Sequence, residues 1–152
     1  MFIKDFLDNL KEDKIKIYVD MDGVIADFDV GNPFGYDKKR PLITSIDKLK
    51  ILSEDERYEL HILSICRLKE GFEEKNYWLD KYAPFFKKEN RHIIVRELND
   101  FKESSKLKEE FVTNIERDSS KIVIIDDDIK VIREIREKNE DVLILKDTAL
   151  VD

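Results

Sequence analysis

Ile15-Lys16-Ile17-Tyr18-Val19-Asp20-Met21-Asp22-Gly23-Val24-Ile25-Ala26-Asp27 is the stretch on which the reading of this chain turns. Its first five residues have strand length and are rich in Ile, Val and Tyr. They run directly into two carboxylates and a glycine. A glycine there lets the chain turn sharply, so that both acids serve one site. Four more apolar runs of strand length follow, at residues 58–65, 92–95, 121–125 and 142–145. The last two are near-continuous, the pattern of strands covered on both faces.

Helical spacings lie between these runs. Ile46, Leu49 and Leu52 share a face, and Phe72, Leu79 and Tyr82 share another with Trp78 beside them. Leu107, Phe111 and Ile115 recur at spacing four, and Ile129, Ile132 and Ile135 at spacing three. Strands alternating with helices imply a parallel sheet built by right-handed crossovers, so the expected fold class is α/β, a three-layer α/β/α domain. Before the first strand, within residues 1–13, Phe2, Ile3, Phe6, Leu7 and Leu10 mark a short amphipathic helix. It serves as a packing element or as a contact with a second subunit. Residues 28–40 carry Gly31, Pro33 and Gly35 with Phe34 and Tyr36 interleaved, and read as an irregular loop.

Composition narrows the classes. A chain of 152 residues with 41% hydrophobic residues suits one domain with one core, expected over 1–152. The formal net charge of −7 argues against a dedicated nucleic-acid binder, while leaving room for a local basic patch. Cys66 stands alone, which excludes an internal disulfide and fits a reducing compartment. No apolar run approaches the roughly 20 residues of a membrane span. Lys4 and Asp5 interrupt the N-terminal apolar residues, against a signal peptide. A cytoplasmic, non-membrane protein is expected.

Ligands of open parallel sheets bind outside the carboxyl ends of the strands. The first run ends there in Asp20 and Asp22, and the fourth in Asp126, Asp127 and Asp128. The two clusters meet if those strands are neighbours. Crowded carboxylates repel one another unless a cation neutralises them, and oxygen ligands of this kind suit magnesium. The plainer reading is that both are turn residues, since Asp is common after strands.

With its strand, Asp20-Met21-Asp22-Gly23-Val24-Ile25-Ala26-Asp27 resembles the first motif of the haloacid dehalogenase (HAD) superfamily of phosphohydrolases. In form it is closest to the 5'(3')-deoxyribonucleotidase-like branch. The resemblance covers roughly residues 15–145. Ser64 in Ile62-Leu63-Ser64 stands where the second motif is expected, and Ile124-Ile125-Asp126-Asp127 matches the fourth. The third motif is a lysine near the start of the helix before the last motif. Lys106 and Lys102 both qualify, and Lys106 is preferred because Ser104 or Ser105 would cap that helix. Trp78-Leu79 with Lys75 and Lys81 is also similar to a helix pattern of those nucleotidases.

The resemblance implies a five-stranded sheet in the order 5-4-1-2-3. It implies that Asp20 attacks phosphorus, that Asp22 is the acid and base, and that Ser64 and the lysine bind phosphoryl oxygens. It implies Mg2+ held by Asp20, the Asp22 backbone carbonyl, and Asp126 or Asp127. The chain departs from the pattern in one respect. Only about forty residues separate Asp22 from Ser64, so a loop of about a dozen replaces the cap domain.

The loop and the segment after the second strand carry Lys38, Lys39, Arg40, Arg67 and Lys69, cations suited to an anionic substrate or simply solvated. Phe28, Phe34 and Tyr36 are suited to stacking on a base or sugar, or to plugging the loop. Phe28, Lys39, Arg40 and Arg67 are taken as substrate-binding candidates. The expected activity is magnesium-dependent hydrolysis of a small phosphorylated substrate, with a nucleotide as the leading choice. Two alternatives stand beside it. One is a phosphatase for a macromolecular phosphate, such as a nucleic-acid end or a protein. The other is a receiver-like module that binds magnesium and phosphate without turnover. A homo-oligomer covering the open site is a further expectation.

Overall fold

The computed structural model describes residues 3–28 and 35–151. Five strands form one sheet: β1 Ile15–Val19, β2 Tyr58–Cys66, β3 Arg91–Val95, β4 Lys121–Asp126 and β5 Leu143–Lys146. All neighbours pair in parallel, in the order β3-β2-β1-β4-β5. The sequence expectation therefore holds for fold class and strand order. The helices are α1 Ile3–Asp8, α2 Ile43–Ser53, α3 Lys69–Tyr82, α4 Ser104–Thr113 and α5 Ile129–Lys138.

Alternation along each strand divides the core between the two faces of the sheet. Ile15, Ile17 and Val19 point into one layer with Leu49, Leu52, Trp78 and Leu79 from α2 and α3. Tyr18, Ile122 and Ile124 point into the other with Val112 from α4 and Ile132 and Ile135 from α5. Both faces of β1 and β4 are thus covered, the physical reason that these runs lack polar alternation.

Register positions the site. Val19 lies opposite Ile125 of β4 and Ile62 of β2. The next residues of β1 and β4, Asp20 and Asp126, therefore reach the same level at the carboxyl edge. The Asp20 N–H donates to the Ile125 carbonyl at 3.0 Å. Beyond it the Met21 carbonyl accepts from Val24, Ile25 and Ala26 at 3.0–3.1 Å, and Gly23 takes φ +78°.

The loop that follows returns to its origin. The Asp27 N–H donates to the Arg40 carbonyl at 2.8 Å, and Leu42 to Ile25 at 2.8 Å. Phe34, Gly31 and Pro33 lie outside the described residues. The part at 35–40 is not wholly irregular, because Tyr36–Lys38 forms a single 3-10 turn. It is pinned to α3, where the Trp78 indole N–H donates to the Lys39 carbonyl at 2.9 Å.

The N-terminal helix occupies six residues of the expected 1–13 and is a packing element, since Ile3 and Leu7 are buried. Arg57 holds the chain after it, donating to the Asp8 and Glu12 carbonyls at 3.1 and 2.8 Å and to that of Leu10. Truncating Arg57 leaves those carbonyls without their partner. Arg57→Ala is expected to lower the unfolding free energy by about 1–3 kcal/mol in urea titrations.

Candidate active site

Three carboxylates converge at the carboxyl edge of β1 and β4. Asp20, Asp126 and Asp127 each offer an oxygen, all within 4.8 Å of one another. Hard oxygen donors at such spacing fit a divalent cation of the magnesium class. The two strand ends divide the work locally. Asp128 is not in the cluster but caps α5, its carboxylate accepting from the Lys130 N–H at 2.8 Å. Asp126 accepts from the Asp128 N–H at 3.0 Å, so the cap also orients a cluster member.

Lys108 neutralises part of this charge. Its ammonium lies 3.0 Å from Asp20 and 2.6 Å from Asp126, with the side chain 5% exposed. Lys108, and not the expected Lys106, is the lysine of α4 that reaches the acids. Helix α4 does begin at Ser104, and Lys106 is in its first turn as expected. Successive residues turn by about 100°, however, which puts Lys106 on the opposite side from Ser104. Lys108, four residues on, shares the face of Ser104, and both line the cleft. Lys106 is half exposed, 3.9 Å from Glu109, and Lys102 pairs with Glu110 at 3.4 Å.

Asp22 belongs to a separate group. Its two oxygens meet Lys39 at 2.8 Å and Lys75 at 3.1 Å. Its side chain is thus a partner of ammoniums rather than a member of the cation cluster. Lys75 is 3% exposed and also donates to Ser64 Oγ at 2.6 Å and to the Ile65 carbonyl at 2.7 Å. Ser64 is fully buried and is not among the residues that line the cleft. The Ser64 hydroxyl, expected to bind phosphoryl oxygens, accepts here from the Lys75 ammonium. The sequence reading did not assign Lys75 a role. A signal was present, because Lys75 precedes Leu79 by four residues on the face of α3 that packs on the sheet, an unusual place for a charge.

The groups titrate accordingly. Burial pushes Asp20 up to about 7, opposed by Lys108 and reinforced by Asp126 and Asp22. Burial and then Asp126 raise Asp127 to about 6. Burial works to raise Asp22 as well, but Lys75 and Lys39 outweigh it and hold it below the usual carboxylate value. Asp20 and Asp127 are thus strained towards protonation and suited to a cation, while Asp22 already has its counter-ions.

The cleft above these residues has a volume of about 340 Å³. Phe28 lines it and is 60% exposed. Arg40 instead pairs with Asp27 at 2.9 Å, with Arg40 exposed and Asp27 half-buried. Arg67 is exposed, and its backbone carbonyl accepts from the Glu97 N–H at 3.0 Å. Of the four substrate-binding candidates, Lys39 reaches the acids, Phe28 borders them, and Arg40 and Arg67 stand outside.

No protein-family model matches the chain, and no curated protein matches it in sequence. Among solved structures, a chain from one titled "Structure of the Pnkp1/Rnl/Hen1 RNA repair complex" superposes with a TM-score of 0.69 at 17% identity. The match covers 91% of this chain and 43% of the other. A chain from a second, "Structure of Pnkp1/Rnl/Hen1 complex", gives 0.70 at 16% identity over 91% and 47%. The chain therefore spans less than half the length of these neighbours, and at such identity the likeness is one of fold.

Two outcomes are expected of the acids. A Cβ at residue 23 would overlap the Asp127 carboxylate, and the φ of +78° disfavours any side chain. Gly23→Ala should weaken magnesium binding at least about tenfold by isothermal titration calorimetry. The value of about 7 for Asp20 lies above its ordinary 3.8. Between those values the folded chain holds a proton that the unfolded chain has lost, so metal-free stability falls as pH rises. Cation binding offsets that loss. The rise in melting temperature on adding magnesium should therefore grow between about pH 5 and pH 8.

Proposed function

We propose that this chain is a magnesium-dependent phosphomonoester hydrolase of the HAD type, acting through an aspartyl phosphate on Asp20. The observation that carries the reading is the separation of two acidic groups at one strand edge. Asp20, Asp126 and Asp127 form a set able to hold a cation, and Asp22 stands beside them on Lys39 and Lys75. Before an ion and a substrate bind, the two acids stand the other way round, with Asp20 raised and Asp22 held down. A cation on the Asp20 cluster would ionise the nucleophile, and loss of ammoniums from Asp22 would let it carry a proton.

In this reading Asp20, Asp126 and Asp127 hold the ion, with the Asp22 backbone carbonyl as a further donor. A bound magnesium ion supplies positive charge to the phosphoryl oxygens. An oxygen of Asp20 attacks phosphorus while the bond to the leaving oxygen breaks, and that oxygen takes a proton from Asp22. Water then attacks the phosphorus of the aspartyl phosphate and gives its proton to Asp22. Free phosphate leaves and the Asp20 carboxylate is restored. Lys108 fixes the orientation of Asp20 and offsets charge next to the reacting atoms.

A mononucleotide is the leading substrate. A phosphorylated nucleic-acid end is the second reading, favoured by the short loop in place of a cap and by fold neighbours taken from an RNA repair complex. An open cleft admits a chain as readily as a free nucleotide.

A phosphate-release screen tests both. Purified protein with magnesium should hydrolyse phosphomonoesters, and Asp20→Asn should be slower by at least about a thousandfold. No release from a broad panel by folded protein would sink the hydrolase reading. Stable phosphorylation of Asp20 without release would point instead to a receiver-like switch. Faster release from an end-phosphorylated oligonucleotide than from mononucleotides would select the second substrate.

A further inference from the structure

Tyr36 lies on the single 3-10 turn of the loop and is 6% exposed. Its hydroxyl is buried, makes no well-formed hydrogen bond among the described residues, and interacts only loosely with the Asp22 carboxylate. A buried donor left unmatched is destabilising, so such a group calls for an explanation. The surroundings offer one. The Lys39 ammonium lies 4.7 Å from the centre of the Tyr36 ring, and that of Lys75 lies 4.9 Å from it. Both ammoniums end on Asp22. Burial and the nearby Asp22 and Asp20 carboxylates raise the Tyr36 pKa, so the hydroxyl keeps its proton and remains a donor.

The three groups are held rigidly. The Trp78 indole fixes the Lys39 carbonyl, and the Tyr36 N–H donates to Glu74 at 3.1 Å. The Tyr36 ring meets the Trp78 ring edge-on at 6.0 Å. Lys75 is anchored by Ser64 and the Ile65 carbonyl. Donors fixed before a ligand arrives bind it without a cost of reorganisation.

We propose that the Tyr36 hydroxyl and the Lys39 and Lys75 ammoniums form a cradle for the terminal oxygens of a phosphomonoester dianion, and that the Asp22 carboxylate fills this cradle while no phosphate is bound. The inference rests on the phosphohydrolase reading and names the charge state of its substrate. A monoester presents three non-bridging oxygens and up to two negative charges, and a diester presents two and one. Three convergent donors carrying two full charges match the monoester. When a phosphate enters, the ammoniums pass from Asp22 to its oxygens, and Asp22 is released to face the leaving oxygen. The loop in the place of a cap thus recognises the phosphate end of the substrate.

The test is calorimetric titration of the magnesium-loaded full chain with inorganic phosphate and, separately, with dimethyl phosphate, a diester monoanion. Wild type should bind phosphate and bind dimethyl phosphate at least about tenfold more weakly. Tyr36→Phe removes only the poorly matched hydroxyl. It should keep or raise the melting temperature yet weaken phosphate binding by about fivefold or more. Lys39→Met should weaken it at least about tenfold, and Lys39→Arg should retain most of the affinity. Phosphate affinity within about twofold of wild type in both Tyr36→Phe and Lys39→Met, or no phosphate binding by wild type, overturns the cradle. Turnover of a phosphomonoester is measured alongside. Turnover with unchanged phosphate affinities removes the cradle alone, whereas altered affinities without turnover remove the hydrolase reading and keep the cradle.

Discussion

Four carboxylates crowd the carboxyl ends of β1 and β4, and their mutual repulsion governs how the rest of this edge is built. Parallel pairing in the observed register brings Asp20 level with Asp126, so the repulsion cannot be relieved by sliding the strands without moving the whole core. Charge must come from elsewhere. Lys108 brings it from α4, Lys75 from α3 and Lys39 from the loop, each reaching carboxylate oxygen within 3.1 Å. These ammoniums are themselves buried or nearly so, and burying one would be costly without its acid. Acids and lysines therefore hold one another in place, and the helices that carry the lysines are positioned by that exchange as well as by the apolar layers.

The exchange is incomplete on one side. Asp22 has two ammoniums for its two oxygens. Asp20, Asp126 and Asp127 share one lysine, and Asp20 and Asp127 are pushed up towards neutral pH. A site short of positive charge by this margin is poised for a divalent cation and, with it, for a phosphoryl group. Stability is given up at the position where chemistry is proposed, a common arrangement at functional sites.

Recognition is arranged on a small scale. A short loop stands between the first two strands where many phosphohydrolases of the resembled type carry a cap domain. Its stiffness comes from α3, through Trp78 and Glu74, rather than from a fold of its own. The likeness to chains from an RNA repair complex concerns the fold and covers less than half of those chains. The shared architecture gives a sheet edge on which acids can gather. Phe28 lines the cleft, and Lys39 meets Asp22 beside it.

Much of the fold was legible in the sequence because its signals are local. The near-continuous apolar run at 121–125 has the pattern of a strand covered on both sides, and Asp20 and Asp22 follow their strand directly, so chain order placed them at the binding edge. The facing of charged side chains was not legible in the same way. Lys106 and Lys108 sit in one helix and look alike in sequence, yet a turn of about 200° separates 106 from the cleft face marked by Ser104. The function of Ser64 depended on whether its hydroxyl met solvent or an ammonium from α3. Asp22 and Asp127 resemble equal members of one acidic set until lysines from distant segments take up the first and leave the second. The sequence determined which residues reach the carboxyl edge, because chain order puts them directly after their apolar strands, while the strand order itself was implied by the resemblance. Tertiary structure alone decided which charge each residue meets there, because that depends on helix phase and on contacts between segments remote along the chain.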